Sequence, residues 1–170
     1  MEGTNILVVS DTHGNSQAIG RLLENYKGLV TDVVHLGDHA RDMVRFSRSE
    51  SLNFHIVNGN TDPLIAGYDE RIIEVAGKKI FITHGHRYNV KTNLESIIYR
   101  ARELQVNACL FGHTHIQVLF AQDDIIFLNP GSPTFPGSEN PRGYALLRIS
   151  EENAITGKLL TYKEPVWQGI

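Results

Sequence analysis

Cysteine is almost absent: Cys109 is the only one in 170 residues, so no intrachain disulfide forms and no cysteine cage holds a structural metal. Its neighbours Ala108, Leu110 and Phe111 mark it as a small buried apolar residue, not an exposed nucleophile. Long hydrophobic runs are missing as well. No stretch approaches the roughly 18 apolar residues that a membrane-spanning helix needs. The segment Met1 to Val9 has no basic portion and ends in an apolar run of only four residues, which excludes a secretory signal; a cytoplasmic location and no membrane partner are expected. A strong charge of either sign is also lacking. The formal net charge of −3 and the absence of a basic stripe argue against general attraction to extended nucleic acid. Glycine and proline are too few for a disordered chain, and 41% hydrophobic with 21% charged residues is ordinary for a folded domain.

What is present is a run of short apolar segments, each ending in a polar cluster. Ile6 to Val9 reads as a strand buried on both faces, and Ser16 to Tyr26 carries Ala18, Ile19, Leu22, Leu23 and Tyr26 at helical spacing. Asp32 to Leu36 and Phe54 to Val57 repeat the strand signal, with a helical piece over Met43 to Ser47 between them. That alternation predicts parallel strands with helices on their faces. Arg71 to Val75 and Lys79 to Ile82, joined through Gly77, predict an antiparallel hairpin. Asn93 to Leu104 is an amphipathic helix with Thr92 or Asn93 as N-cap. Further strands are expected at Ala108 to Phe111, Ile116 to Ala121, Ile125 to Leu128, Tyr144 to Ile149 and Ile155 to Tyr162. About ten strands are too many for one open sheet of this size. The expected fold is α/β: two mixed β-sheets packed face to face and flanked by helices, as one domain over residues 1–170.

The clusters carry the chemistry. Asp11-Thr12-His13, Gly37-Asp38, Gly59-Asn60-Thr61-Asp62, Thr83-His84-Gly85-His86 and Gly112-His113-Thr114-His115 each follow an apolar run. In open parallel sheets, ligands bind beyond the carboxyl ends of the strands, where these loops belong. Carboxylate, imidazole and amide donors form a borderline set, suited to manganese, iron, zinc, cobalt or nickel rather than calcium. Gly37, Gly59, Gly85 and Gly112 are expected to supply unusual backbone angles and room for a substrate.

In that order, Asp11-x-His13, Gly37-Asp38, Gly59-Asn60, His84 and Gly112-His113-x-His115 resemble the signature of the calcineurin-like metallophosphoesterase superfamily. The Thr83-His84-Gly85-His86 and Asn129-Pro130-Gly131-Ser132 strings resemble its small prokaryotic phosphodiesterase subgroup. The resemblance implies two divalent transition-metal ions, one held by Asp11, His13, Asp38 and His115 and one by Asp38, Asn60, His84 and His113, with Asp38 bridging. It implies a phosphodiesterase in which a hydroxide shared by the metals attacks phosphorus in line, with a small phosphate ester, including a nucleotide, as substrate. Asn60 would also touch substrate. A binding module of the same fold, like a retromer-type scaffold subunit, is the alternative, and it predicts damaged ligand positions. A nuclease would want a basic stripe. A metallo-β-lactamase-like hydrolase would want His-x-His-x-Asp-His, which is absent.

Two positions depart from the family pattern. Thr61 stands where many relatives have a histidine that protonates the leaving oxygen. His86 is the first candidate to replace it, with His39, or no acid at all, as alternatives. Arg41 stands where relatives often have a second Asp; it would hold phosphate, or else pair with Asp42 or Glu50. Ordinary structural roles are expected elsewhere. Asp62 before Pro63 reads as a helix N-cap, His35 and His55 as hydrogen-bonded strand histidines, and Asn129 to Ser132 as a tight turn or a segment adjoining the site. Phe135, Pro136, Tyr144 and the stretch Pro165-Val166-Trp167 offer apolar surface to a partner or a second copy, which leaves a homo-oligomer open.

Overall fold

The four apolar residues Ile6 to Val9 lie in strand β1 (Thr4–Val9), and all four are buried. Ile6 and Val8 point into one core, Leu7 and Val9 into another. A strand with apolar layers on both faces has no polar alternation to show. The computed structural model describes residues 3–47, 51–63, 67–137 and 139–163.

Strand β1 lies at the centre of a five-stranded sheet. The others are β2 (Asp32–His35), β3 (Asn53–Ile56), β9 (Gly143–Ile149) and β10 (Ile155–Thr161). Their order is β10-β9-β1-β2-β3; β1, β2 and β3 run parallel, and β9 and β10 join antiparallel. The second sheet contains β4 (Glu70–Val75), β5 (Lys78–Thr83), β6 (Ala108–Leu110), β7 (Gln117–Gln122) and β8 (Ile125–Pro130). It runs β4-β5-β6-β8-β7, with β5, β6 and β8 parallel and an antiparallel strand at each edge. Two mixed five-stranded sheets with few helices are the architecture expected from the sequence. The β4–β5 hairpin turns on Ala76 and Gly77, both at positive φ (47° and 73°), which matches the twist of its strands.

Val34, Leu36 and Val57 of the first sheet side meet Ile80, Ile82, Leu110 and Leu128 of the second in the core between the sheets. Helix α1 (Ser16–Asn25) covers the outer face of the first sheet with Ala18, Ile19 and Leu22, and Asn15 caps it by accepting the Ala18 N–H at 3.1 Å. Helix α3 (Glu95–Glu103) covers the second sheet, where Ile97 and Ala101 pack with Phe81, Phe111 and Phe127.

Two expectations are corrected. The short helix α2 is Arg41–Val44, two residues ahead of the expected Met43, because Asp42 and Met43 are both drawn inward. The N-cap of α3 is Leu94; Asn93 instead accepts the Glu95 N–H at 3.0 Å from one residue further out. The helix expected to begin at Pro63, Glu50 as a partner for Arg41, and the Pro165-Val166-Trp167 surface all involve residues outside those described. Among the described residues, no helix is long and apolar enough to cross a membrane.

Leu110 is fully buried between the sheets, whereas Tyr99 on α3 is 70% exposed. Leu110→Ala is expected to lower unfolding free energy by about 2–5 kcal/mol with an unchanged denaturant m-value, and Tyr99→Ala to stay within about 0.5 kcal/mol. Equal urea midpoints for the two variants would contradict this core.

Candidate metal centre

The five polar clusters meet at one end of the sandwich, beyond the carboxyl ends of β1, β2, β3, β5 and β6. To aim inward, the chain adopts left-handed backbone at Asp11 (φ 54°), His13 (46°), Asp38 (57°), His113 (69°) and His115 (61°). Such angles are uncommon outside glycine and cost on the order of 1 kcal/mol or more each. Five of the seven candidate ligands are held this way. The glycines play a different part from the one expected. Gly37 and Gly85 have positive φ, but Gly59 and Gly112 do not. A Cβ on Gly59 would lie 2.2 Å from Asp38 Oδ1, and one on Gly112 would lie 2.0 Å from Ser10 Oγ. The room they leave is filled by neighbouring loops, not kept for a substrate.

Two groups of donor atoms result. In the first, formed by Asp11, His13, Asp38 and His115, the ligand atoms all lie within 4.8 Å of one another. Asp11 Oδ1 and His115 Nε2 are 3.2 Å apart, the Nε2 atoms of His13 and His115 3.3 Å, and His13 Nε2 and Asp38 Oδ2 3.8 Å. In the second, His84 Nε2 lies 3.4 Å from Asp38 Oδ1, 3.1 Å from His113 Nδ1 and 3.1 Å from Asn60 Oδ1. Asp38 thus turns one carboxylate oxygen to each group.

The surroundings select the atoms that face inward. His84 Nδ1–H donates to the Leu36 carbonyl at 2.7 Å, and His115 Nδ1–H donates to the Phe135 carbonyl. Each bond leaves Nε2 as the inward donor atom, the outer-partner arrangement typical of metal-binding histidines. Asp11 Oδ2 accepts the His113 N–H at 3.1 Å, and Asp38 Oδ1 accepts the Thr61 N–H at 3.1 Å. Asp11 Oδ1 is buried and makes no well-directed hydrogen bond, close as His115 is. A buried carboxylate oxygen left over among imidazole lone pairs is what a divalent transition ion would satisfy, so the residues fit such an ion.

Electrostatics follow from the crowding. Burial pushes the Asp11 carboxyl up, but His115 and His84 outweigh it and hold it below the ordinary value. The Asp11 carboxylate in turn raises His115. Burial, reinforced by His84, pushes His113 down to about 4, and the same two causes lower His86.

His86 begins a 3-10 turn (His86–Tyr88), its ring 5.4 Å from that of His84 and 6.1 Å from that of His113. His39 sits against His13 at 5.6 Å between ring centres. Arg41 is exposed at the start of α2, whereas the neighbouring Asp42 is buried, its Oδ2 accepting from Thr12 and from the Gly14 N–H. His55 bonds to Asp32 at 2.8 Å, as a structural histidine would, beside a cavity of about 680 Å³ that shares no residue with the ligand groups.

Several bracing residues carry no metal-ligand signature in the sequence. His35 is fully buried; its Nδ1 accepts the Gly37 N–H at 3.1 Å, so its Nε2–H faces Thr12 Oγ1 at 3.0 Å. Thr12 donates onward to Asp42 Oδ2 at 2.8 Å, which also accepts the Gly14 N–H at 2.8 Å. Asp62 ties two loops by accepting the Ala40 and Gly59 N–H groups at 2.9 and 2.8 Å. Asn129 donates to Gly112 O at 2.8 Å and Thr114 Oγ1 at 3.0 Å, and Ser132 donates to Asp11 O at 2.8 Å. Of the two readings of Asn129 to Ser132, adjacency to the site is the one observed.

Residues 4–152 match the calcineurin-like phosphoesterase superfamily domain. Among curated proteins, the Bacillus subtilis protein described as probable metallophosphoesterase YsnB is 30% identical over 151 residues, covering 88% of this chain and 87% of its own. Phosphodiesterase YfcE of Escherichia coli is 27% identical over 167 residues, covering 84% and 86%. A crystal structure from Streptococcus pneumoniae, described as a predicted phosphoesterase, superposes with a TM-score of 0.80 at 29% identity over 100% of this chain and 96% of that one. Vps29 of Entamoeba histolytica complexed with zinc has a TM-score of 0.71 at 20% identity, covering 94% and 100%, a likeness of fold.

The His35 brace makes stability depend on pH. Burial lowers His35 from 6.5 to about 4, so the unfolded chain takes up the proton first as pH falls. Its contribution is complete above the unfolded value and is lost downward from there; between pH 7 and 5 the loss is about 2 kcal/mol. Urea melts of metal-free protein are expected to show this acid limb flattened by that amount in His35→Gln, whatever the variant's stability at pH 7. An identical slope in both proteins would refute the assignment.

Proposed function

The chain belongs to the calcineurin-like phosphoesterase superfamily, and on that premise we propose that it is a metal-dependent phosphodiesterase with two cation sites. One site is Asp11, His13, Asp38 and His115; the other is Asp38, Asn60, His84 and His113. The observation that carries this reading is the Asp38 carboxylate, which offers one oxygen to each group of converging donors. Divalent manganese, nickel, zinc, iron or cobalt bound there supplies Lewis-acid stabilisation of charge on phosphoryl oxygens and makes water a competent nucleophile near neutral pH.

The chain's own residues do the rest. The paired loops hold Asp38 rigidly, because Thr61 N–H fixes Oδ1 and Gly59 leaves no slack beside it. In this reading Asn60, exposed beside His84, and the exposed Arg41 would contact the phosphate, and His86 would face the leaving oxygen. Burial and His84 lower the proton affinity of the His86 ring, which makes it a weaker acceptor of a proton and favours its use as a hydrogen-bonding group. That favours leaving groups that already tolerate negative charge. Diesters are preferred as substrates because the curated relatives include proteins named phosphodiesterase. A small ester suits a chain with net charge −3 better than extended nucleic acid does. A cytoplasmic setting accords with the sequence.

Manganese- or nickel-supplemented protein is expected to hydrolyse bis(p-nitrophenyl) phosphate and to stop when a chelator is added. Asp38→Asn should lose roughly 100-fold or more in kcat/KM together with metal retention, since even outer partners of metal ligands account for about 10–100-fold. An active Asp38→Asn variant would remove the bridging role. Failure of the wild type to turn over any diester, with metals bound, would favour the binding-module alternative.

A further inference from the structure

Phe135 is an apolar side chain beside the candidate metal centre that the core does not bury. Its side chain is 58% exposed, although burying a phenylalanine is worth about 1.5–3 kcal/mol. The ring meets that of His13 in a T-shaped contact, with centroids 5.6 Å apart and planes at 67°. Its main chain is pinned on both sides. The Phe135 N–H donates to Ser132 Oγ at 2.8 Å, and the Phe135 carbonyl accepts from His115 Nδ1. The preceding residue, Thr134, donates its N–H to Ser132 Oγ at 3.1 Å and its hydroxyl to the Thr12 carbonyl at 2.9 Å. Pro133 and Pro136 restrict the backbone around this turn.

An exposed aromatic ring on a loop tied by hydrogen bonds to three ligand-bearing loop residues, Asp11 through Ser132, Thr12, and His115, has little freedom to swing away. An aromatic ring more than half exposed, on a turn held beside the candidate metal centre, is a platform for a second flat ring. We propose that Phe135 is a specificity-determining residue that stacks a nucleobase, or a heteroaromatic ring of similar size, carried by one ester arm of the phosphodiester. This role rests on the phosphodiesterase reading and names the substrate class for that site.

The test compares two phosphate monoesters that differ only in the attached group, adenosine 5′-monophosphate and methyl phosphate, titrated into manganese-loaded full-length protein by calorimetry. Wild type is expected to bind the nucleotide roughly tenfold or more tightly than methyl phosphate, the scale of one base–aromatic stack. Phe135→Ala and Phe135→Leu should lose most of that ratio without weakening methyl phosphate or changing manganese stoichiometry, and Phe135→Trp should keep it. The Leu variant separates stacking from simple apolar contact. A ratio that survives in Phe135→Ala, or equal weakening of both ligands, overturns the proposal. So does a change of oligomeric state in Phe135→Ala with the ratio intact, which would assign the ring to a contact between copies. If wild type discriminates through Phe135 yet cleaves no diester, the platform stands and the esterase reading falls; if it cleaves diesters without discriminating, the platform falls and the esterase reading stands.

Discussion

Everything at the candidate centre is arranged around the shared carboxylate of Asp38. One of its oxygens faces His13 and the other His84, so two sets of donor atoms are joined through a single side chain. Gathering Asp11, Asp38 and four imidazoles out of water is unfavourable for a chain by itself, because buried carboxylates and lone pairs lack donors. The fold accepts this and adds backbone strain at the same residues. Asp11, His13, Asp38, His113 and His115 all hold left-handed angles, a concentration of outliers that belongs with function rather than folding.

Such a centre stands only because a hydrogen-bonded layer beneath it leaves the loops no alternative. His35, Thr12 and Asp42 join the ends of β1 and β2 to α2; Asp62 joins the loops after β2 and β3; Asn129 at the end of β8 and Ser132 just after it reach the loops after β6 and β1. Each of these groups is satisfied by a backbone group of a ligand-bearing loop or its neighbour, or, for the Thr12 hydroxyl, by the side chains of His35 and Asp42, which explains why a polar layer survives beneath a buried site. Rigid support under the ligands and a pinned turn carrying Phe135 are two results of the same network.

Much of this was legible in the residues. The uninterrupted apolar run at β1 announced a strand covered on both faces, and the Gly77 turn announced the β4–β5 hairpin, because both signals are local. The ordered polar clusters announced the candidate ligands for the same reason: each is a short string at a strand end. Where the local pattern misled, the cause was non-local. Asp42 is drawn in by Thr12 and Gly14, thirty and twenty-eight residues away, and that shifts α2 toward the N-terminus. Gly59 and Gly112 read as sites of unusual backbone angles and substrate room, yet what they must avoid is Asp38 and Ser10 in other loops. His35 looked like any strand histidine until its two nitrogens were seen to link Gly37 and Thr12.

By itself, the sequence determined the fold class, the family and the identity of the candidate ligands, since periodicity, turn chemistry and motif order are properties of contiguous residues. Only the tertiary structure decided which histidine nitrogen faces inward, how the buried polar layer braces the loops, and that Phe135 stands beside His13. Those outcomes depend on distances between residues a hundred positions apart, such as Asp11 and His113 at 3.1 Å, and a distance across the fold exists only once the two sheets have packed.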